Sequence, residues 1–346
     1  MKRFNLLLLF AIAILNSLSI SAHHKQGDVW KDTDGNRINA HGGGIMYHDG
    51  TYYWYGECKG EKTYRSPGVD WECYRTDTEG VTCYSSKDLE KWKFEGVVLS
   101  PDFADTHSDI HPTMVIERPK VIYNDKTGKF VMWMHIDNPT YNFAKAGVAV
   151  SDSPTGPFTY IRSERPNNSE CRDMTLFKDD DGNAYHIYSS EGNATLYISR
   201  LSDDYLSQSG VFSIALKNQS REAPAIFKHD GKYYLITSGC SGWSPNEAQY
   251  ATASTILGPW QTIGNPCYGK DSDKTFYGQS TFVIPVVKDN STEYIAMFDK
   301  WDKTNLIDSR YIWLPVQIES DEIKIVWQED VPHCTGLFQQ MAVESK

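Results

Sequence analysis

One pattern recurs five times along the chain: a polar residue, a short apolar run, a turn rich in Asp and Gly, then an aromatic strand. The copies read HGGGIMYHDGTYYWYGE from His41, ERPKVIYNDKTGKFVMWMH from Glu117, RDMTLFKDDDGNAYHIYSS from Arg172, REAPAIFKHDGKYYLITSG from Arg221 and GQSTFVIPVVKDNSTEYIAMFD from Gly278. Short apolar or alternating runs bounded by turn residues predict strands, and a tight turn between two of them predicts a β-hairpin. Gly50, Gly182 and Gly231 supply the positive φ that such turns need.

Behind each hairpin lies a second strand-turn-strand piece: GVTCYSSKDLEKWKFEG, AGVAVSDSPTGPFTYI, LYISRLSDDYLSQSG, YATASTILGPWQTIG and YIWLPVQIESDEIKIVW. Two hairpins per unit make a four-stranded antiparallel sheet, and the unit returns about every 60 residues. Helical periodicity is nearly absent, which argues against a parallel α/β fold. The expected fold is therefore all-β, a five-bladed β-propeller with four-stranded antiparallel blades. Whether the last strand, Ile323 to Gln328, pairs with a neighbour is left open.

Residues 1–22 read as a secretory signal peptide: Lys2 and Arg3 precede the apolar run Leu6 to Leu15, and small residues follow at Ser21 and Ala22. Residues 23–346 are then a single propeller domain, expected to be exported. No later apolar run reaches the ~18 residues of a membrane span.

The hairpin register singles out a set of polar residues. Counting nine residues back from Gly50, Gly182 and Gly231 gives His41, Asp173 and Glu222; Glu117 lies eleven before Gly128, and Gln279 is the counterpart in the fifth copy. Equivalent positions in a repeat occupy equivalent places, so these side chains are expected to ring the mouth of the central channel. Carboxyls crowded in such a funnel have raised pKa values, as a general acid requires.

Glu222 is the first candidate for that acid, with Asp173 in the same register one blade earlier. Glu117 reads as substrate anchor, base or partner of Arg118, and Glu57 as a cleft residue or a loop cap. Arg172 and Arg221 are expected to point into blade interfaces rather than pair with the carboxylates beside them. Trp243, in SGWSPN, is a candidate stacking platform, with Tyr277 and Trp301 as further candidates and Tyr141 as a substrate contact. His41 to Gly44 resembles an esterase oxyanion loop, but the chain has no G-x-S-x-G elbow. Those glycines read instead as room for backbone close to ligand. Asp179-Asp180-Asp181-Gly182 reads as a hairpin tip rather than a calcium loop, because Phe177 and Tyr188 stand where ligands belong.

The formal charge of −11 becomes −13 once Lys2 and Arg3 are removed, with both signs interspersed, so nucleic acid is not expected as a partner. Aromatic content of 13% suits blade packing and sugar stacking alike. Seven cysteines allow up to three disulfides and leave one over; Cys58, Cys73 and Cys83 crowd one region, where a bridge is one option, and the spacing does not give the connectivity. No zinc spacing is present, no metal site is assigned, and no cofactor is implied. A structural calcium in the channel near His41 is left open.

From about Trp30 to Ile318, the motifs AHGGGI, YYWYGE, ERPKVIYN, EAPAIFKHDGKYYLI, SGWSPN and SRYIWLP resemble glycoside hydrolase family 43, in particular its exo-β-1,3-galactanase branch. The resemblance implies release of galactose from β-1,3-galactan, the backbone of plant arabinogalactan, with inversion. It makes Glu222 the acid, Asp173 the residue that orients and tunes it, and Glu117 a substrate contact. The usual Asp base of the first blade is missing at Ala40-His41-Gly42-Gly43. The resemblance transfers its task to Gln279, holding the attacking water, with an imidic tautomer one form of that role. Glu117 remains the alternative base, since an amide is a very weak one. An inverting pair should stand ~6.5–9.5 Å apart. The rivals are an α-L-arabinofuranosidase or β-galactofuranosidase of the same family, and a carbohydrate-binding propeller without catalysis.

Overall fold

The computed structural model describes residues 24–288 and 291–332, so the leader expected at 1–22 lies outside the described residues. Five antiparallel sheets follow one another along the chain, each built from a contiguous segment. Their inner hairpins are His41–His48 with Thr51–Lys59, Val115–Asn124 with Lys129–Asp137, Met174–Lys178 with Ala184–Ser190, Arg221–His229 with Lys232–Gly239, and Gln279–Lys288 with Ser291–Lys300. The fold is the expected five-bladed propeller. Turn residues Gly50, Gly128, Gly182 and Gly231 all have positive φ, between 67° and 81°.

Sheets in this arrangement are covered on both faces, which is why their middle strands run apolar instead of alternating. In Lys129–Asp137, Val131 and Trp133 pack toward the third blade, while Met132, Met134 and Ile136 pack toward the first. Five apolar clusters result, one in each gap between neighbouring blades. The gap where the ring closes, between blades five and one, is filled by Trp30, Trp54, Trp92 and Trp313, all buried. Trp54 meets Trp92 at 5.4 Å, Tyr311 at 4.7 Å and Trp313 at 5.0 Å between ring centroids.

The fifth blade carries an addition to the four-stranded plan. Glu322–Val326 pairs antiparallel with Arg310–Glu319, which settles the question of the last strand, and on its other side it takes the two-residue strand Cys267–Tyr268 in parallel. The bridge left as an option among Cys58, Cys73 and Cys83 is not formed: all three are free thiols. Cys83 is packed in the apolar gap between blades one and two. Cys58 faces Glu79, and Cys73 belongs to a separate hairpin inserted in blade one. Asp179 is a hairpin tip as expected, bonded to Lys228 and Tyr233. No helix among the described residues is long and apolar enough to cross a membrane.

The indole cluster at the ring closure generates a stability prediction. Trp54→Ala should cost about 3–5 kcal/mol through lost burial and a residual cavity. Denaturant unfolding at constant slope checks this; a loss below about 1 kcal/mol would show that the closure does not depend on that packing.

Candidate active site

The inner strands break their regular register just after the ring position. Shifts fall between His41 and Gly44, Glu117 and Lys120, Glu222 and Ala225, and Ser280 and Phe282. In three blades the residue after the ring position has positive φ: Gly42 at 59°, Arg118 at 55° and Ala223 at 51°. Only glycine adopts that conformation without strain, so the bulges at Arg118 and Ala223 carry a cost that the surrounding contacts offset.

These bulges aim side chains into a cavity of about 470 Å³ at one end of the channel. Glu57, Glu117, Tyr141, Asp173, Glu222, Trp243, Tyr277, Gln279 and Trp301 all line it. Of the proposed site residues, only His41 does not. Its ring is fully buried beneath the pit, 3.1 Å from Asp299 through Nδ1 and stacked on Tyr311 at 4.8 Å. His41 therefore supports the floor and is not a sugar contact. The glycines beside it make room for protein rather than ligand. A Cβ on Gly42 would lie 2.0 Å from Glu57 Oε1, and one on Gly44 would lie 2.6 Å from the Lys120 side chain.

Arg118 lies at the base of the pit, only 5% exposed. Its Nε and Nη2 donate to the two oxygens of Asp173 at 3.0 and 2.8 Å, and Nη2 also donates to Gln279 Oε1 at 2.6 Å. Its backbone N–H donates to Glu57 at 2.9 Å. Asp173 in turn accepts the N–H of Ala223 at 3.1 Å, which ties it to the bulge that carries Glu222. The acid candidate accepts from Gln279 Nε2 at 3.0 Å and from Asn193 Nδ2 at 3.1 Å. Burial, reinforced by the negative charge of Asp173, pushes the Glu222 carboxyl up to about 8. Glu222 thus keeps its proton near neutral pH.

Glu117 has the opposite setting. Burial alone would raise it, but the hydrogen bond from His135 and the charges of Lys59 and His135 hold it at about 2. Tyr141 Oη donates to it at 2.7 Å, and His135 Nδ1 lies 3.2 Å away. His135 itself is raised to about 9: its burial is outweighed by Asp137 and Glu117, which it bridges. A carboxylate so stabilised is a poor proton acceptor and a good anchor for sugar hydroxyls. Glu57 is raised by burial, partly offset by Lys59, whose ammonium is 2.5 Å away.

Gln279 is fixed at both ends. Its oxygen accepts from Arg118 and from Trp301 Nε1 at 2.9 Å. Neither partner can accept a hydrogen bond, so the atom facing them must be the oxygen and the side chain an ordinary amide. An imidic O–H there would face two donors. The expected 6.5–9.5 Å between acid and water holder is also not observed, because Gln279 and Glu222 touch directly. Arg118 and Trp301 draw the amide oxygen down, and that turns the NH₂ toward the acid.

Several site residues had escaped the sequence reading. Arg118 was considered only as a partner of Glu117, yet it pairs with Asp173. Asp299, His135 and Ser238 line the pit and stand directly across the hairpin from Gln279, Glu117 and Glu222, just as Glu57, which the sequence does single out, stands across from His41. Counting forward from each turn as well as backward would have found this second ring. Arg172 lines the pit and donates to Tyr141 O in the neighbouring blade at 2.9 Å. Arg221 instead turns within its own blade, onto Thr237.

Beneath the pit the buried ammonium of Lys120 donates to Gly42 O at 2.7 Å. Burial, and then the charge of Arg118, lower its pKa to about 7. The backbone oxygen next to His41, where a channel calcium was left open, is thus already engaged by a side chain. Among the described residues no group of three or more His, Cys, Asp or Glu side chains is arranged to hold a metal ion.

Comparison with known proteins places this geometry. The profile of glycosyl hydrolases family 43 matches residues 45–297. A family 43 β-1,3-galactosidase solved with galactodeoxynojirimycin is 43% identical, with a TM-score of 0.82 over 88% of this chain and 99% of that one. An exo-β-1,3-galactanase from Phanerochaete chrysosporium, solved with β-1,3-galactotriose, is 36% identical over 89% of this chain and 67% of that one, at a TM-score of 0.79. An exo-β-1,3-galactanase from Clostridium thermocellum is 39% identical over 87% and 64%, at 0.76. A search of curated protein sequences gives no match.

The raised Glu222 carboxyl has a consequence for stability. The unfolded chain releases that proton near 4.5, whereas the folded chain keeps it to about 8. Between those values the folded state binds the extra proton, so this group's contribution to stability falls as pH rises. Glu222→Gln removes the term, and the variant should gain stability relative to wild type from pH 5 to 8, as about that interval is where the two states differ. Parallel denaturation curves check it; a pH-independent difference contradicts the raised pKa.

Proposed function

The chain belongs to glycoside hydrolase family 43, and from that premise we propose that it releases galactose from the non-reducing end of β-1,3-galactan with inversion at the anomeric carbon. The observation that carries this reading is the Glu222 carboxyl, raised by burial and by Asp173, in a pit that also presents anchoring carboxylates and indole rings. The solved relatives named above, which are β-1,3-galactosidases and exo-β-1,3-galactanases, support the choice of substrate.

In this mechanism Glu222 protonates the departing glycosidic oxygen as the C–O bond breaks. Asp173, held by Arg118, keeps the acid's bulge in place and discourages its ionisation before the sugar arrives. Water attacks the oxocarbenium-like carbon from the opposite face, oriented by Gln279. Glu222 and Gln279 are in direct contact, so a terminal galactose has to part them, and that movement opens the gap that an inverting reaction requires. It also draws the amide oxygen away from Arg118 and Trp301, a step Gln279 needs before that oxygen can accept a hydrogen bond from the attacking water, whose proton passes to bulk water. Glu117, Tyr141 and Glu57 anchor hydroxyls, while Trp301, Trp243 and Tyr277 offer ring faces to the sugar.

We place the natural substrate among plant-type arabinogalactans and the protein outside the cytoplasm, on the leader expected at residues 1–22. Galactose released from β-1,3-galactobiose, with no arabinose from an aryl arabinofuranoside, is the expected outcome; the reverse removes the galactanase reading. Glu222→Gln should lower kcat by about 10²–10⁴ while the protein stays folded, and unchanged turnover removes the acid assignment. In wild type, kcat/KM should fall on the alkaline side with a midpoint near 8, where Glu222 loses its proton. Glu117→Gln should raise KM more than it lowers kcat, whereas Gln279→Ala should act mainly on kcat.

A further inference from the structure

Blade one departs from its siblings between its second and third strands. The excursion covers residues 60–77, against 138–144, 191–194, 240–248 and 301–309 in the other blades. It folds into a hairpin of its own, Tyr64–Arg65 paired with Tyr74–Arg75. The hairpin is built to be stiff. Ser66 N donates to Cys73 O at 2.7 Å, the Cys73 side chain is buried, and the Arg75 guanidinium lies over the Tyr64 ring at 5.3 Å.

Its anchors lie on three other blades. Trp71 meets Tyr141 of blade two edge-on at 5.5 Å, and Arg75 donates to Thr113 O on the chain entering that blade. Thr63 Oγ1 accepts Leu306 N at 2.8 Å, and Glu72 pairs with Lys303 at 2.5 Å, both on blade five. Glu72 O accepts Trp243 Nε1 of blade four at 2.6 Å. Blades two and five adjoin blade one, but blade four does not. The contact with Trp243 therefore closes a rim across part of the mouth. Trp71 and Trp243 both line the cavity below it.

The direction of the substrate follows from the acid. Glu222 lies on blade four with Asn193 of blade three at its side, so the leaving part of the chain departs past those two. The hairpin stands on the other side, where its Trp71 meets Tyr141, the partner of Glu117, and where the sugar to be released is held. We propose that the Tyr64–Arg75 hairpin, joined to Trp243, is the wall that ends the site one sugar beyond the scissile bond and so admits galactan only by its non-reducing terminus. This rests on the galactanase reading and names the element that sets its exo mode.

The test compares wild type with a variant in which residues 62–74 are replaced by a short Gly-Ser turn, and with Trp71→Ala/Trp243→Ala, which lowers the wall without altering the backbone. Two substrates are used: β-1,3-galactan, and β-1,3-galactotriose methylated on the terminal 3-oxygen. Wild type should give galactose alone and discriminate against the methylated sugar by about 10–200-fold, the range for one extra carbon at a rigid wall. The variants should release galactobiose and longer products early and lose most of that discrimination. If either variant still releases galactose, yet yields galactose alone and still refuses the methylated sugar, the wall is overturned. If wild type releases no galactose from β-1,3-galactan, the galactanase reading itself falls, and the wall with it.

Discussion

The site depends on one buried cation. Burying a guanidinium costs several kcal/mol unless partners offset it, and losing one partner leaves the charge uncompensated. Arg118 has a bidentate carboxylate in Asp173, two further oxygens in Gln279 and Ser280, and the face of Trp301 at 5.9 Å. Each contact fixes a group with a separate task in the proposed reaction. Asp173 stays beside Glu222 and disfavours its ionisation, and Gln279 is turned so that its NH₂ meets the acid. The same residue shapes the backbone around it, because its N–H on the bulge fastens Glu57.

A propeller blade is a regular sheet, and regular sheets send successive side chains to opposite faces. The bulge after Glu117 is how this chain places two neighbours, Glu117 and Arg118, in one site. Without the break at Arg118, either Glu117 or the guanidinium would point away from the pit. With it, a carboxylate anchored by Tyr141 and His135 stands next to the cation that organises the other half of the site. The apolar gaps on both sides of each blade hold the strands in register, so a mouth built from five separate blades can be accurate.

Much of this was legible in the sequence, for reasons that differ residue by residue. Turn glycines and apolar runs are local signals, and they were enough for the fold. Asp173, Glu222 and Gln279 could be read because repeat register places equivalent residues in equivalent positions. The same register located His41 but misjudged its role, since Asp299, which draws it down, comes from a strand some 250 residues away in sequence. Arg118 enters the sequence reading only as one option beside Glu117, because nothing local shows that its side chain reaches Asp173 of the next blade. The Glu222–Gln279 contact depends on which end of an amide two distant donors choose, and no spacing encodes that. The two-residue strand Cys267–Tyr268 and the hairpin tied to Trp243 are too short and too irregular to leave a pattern.

The central claim is electrostatic: burial and a neighbouring carboxylate keep Glu222 protonated near neutral pH. Carbon-detected NMR titration of the side-chain carboxyls, with Glu222 assigned by its loss in Glu222→Gln, measures this directly. The account predicts a midpoint near 8 for that carboxyl. A midpoint near the ordinary 4.5 would contradict it.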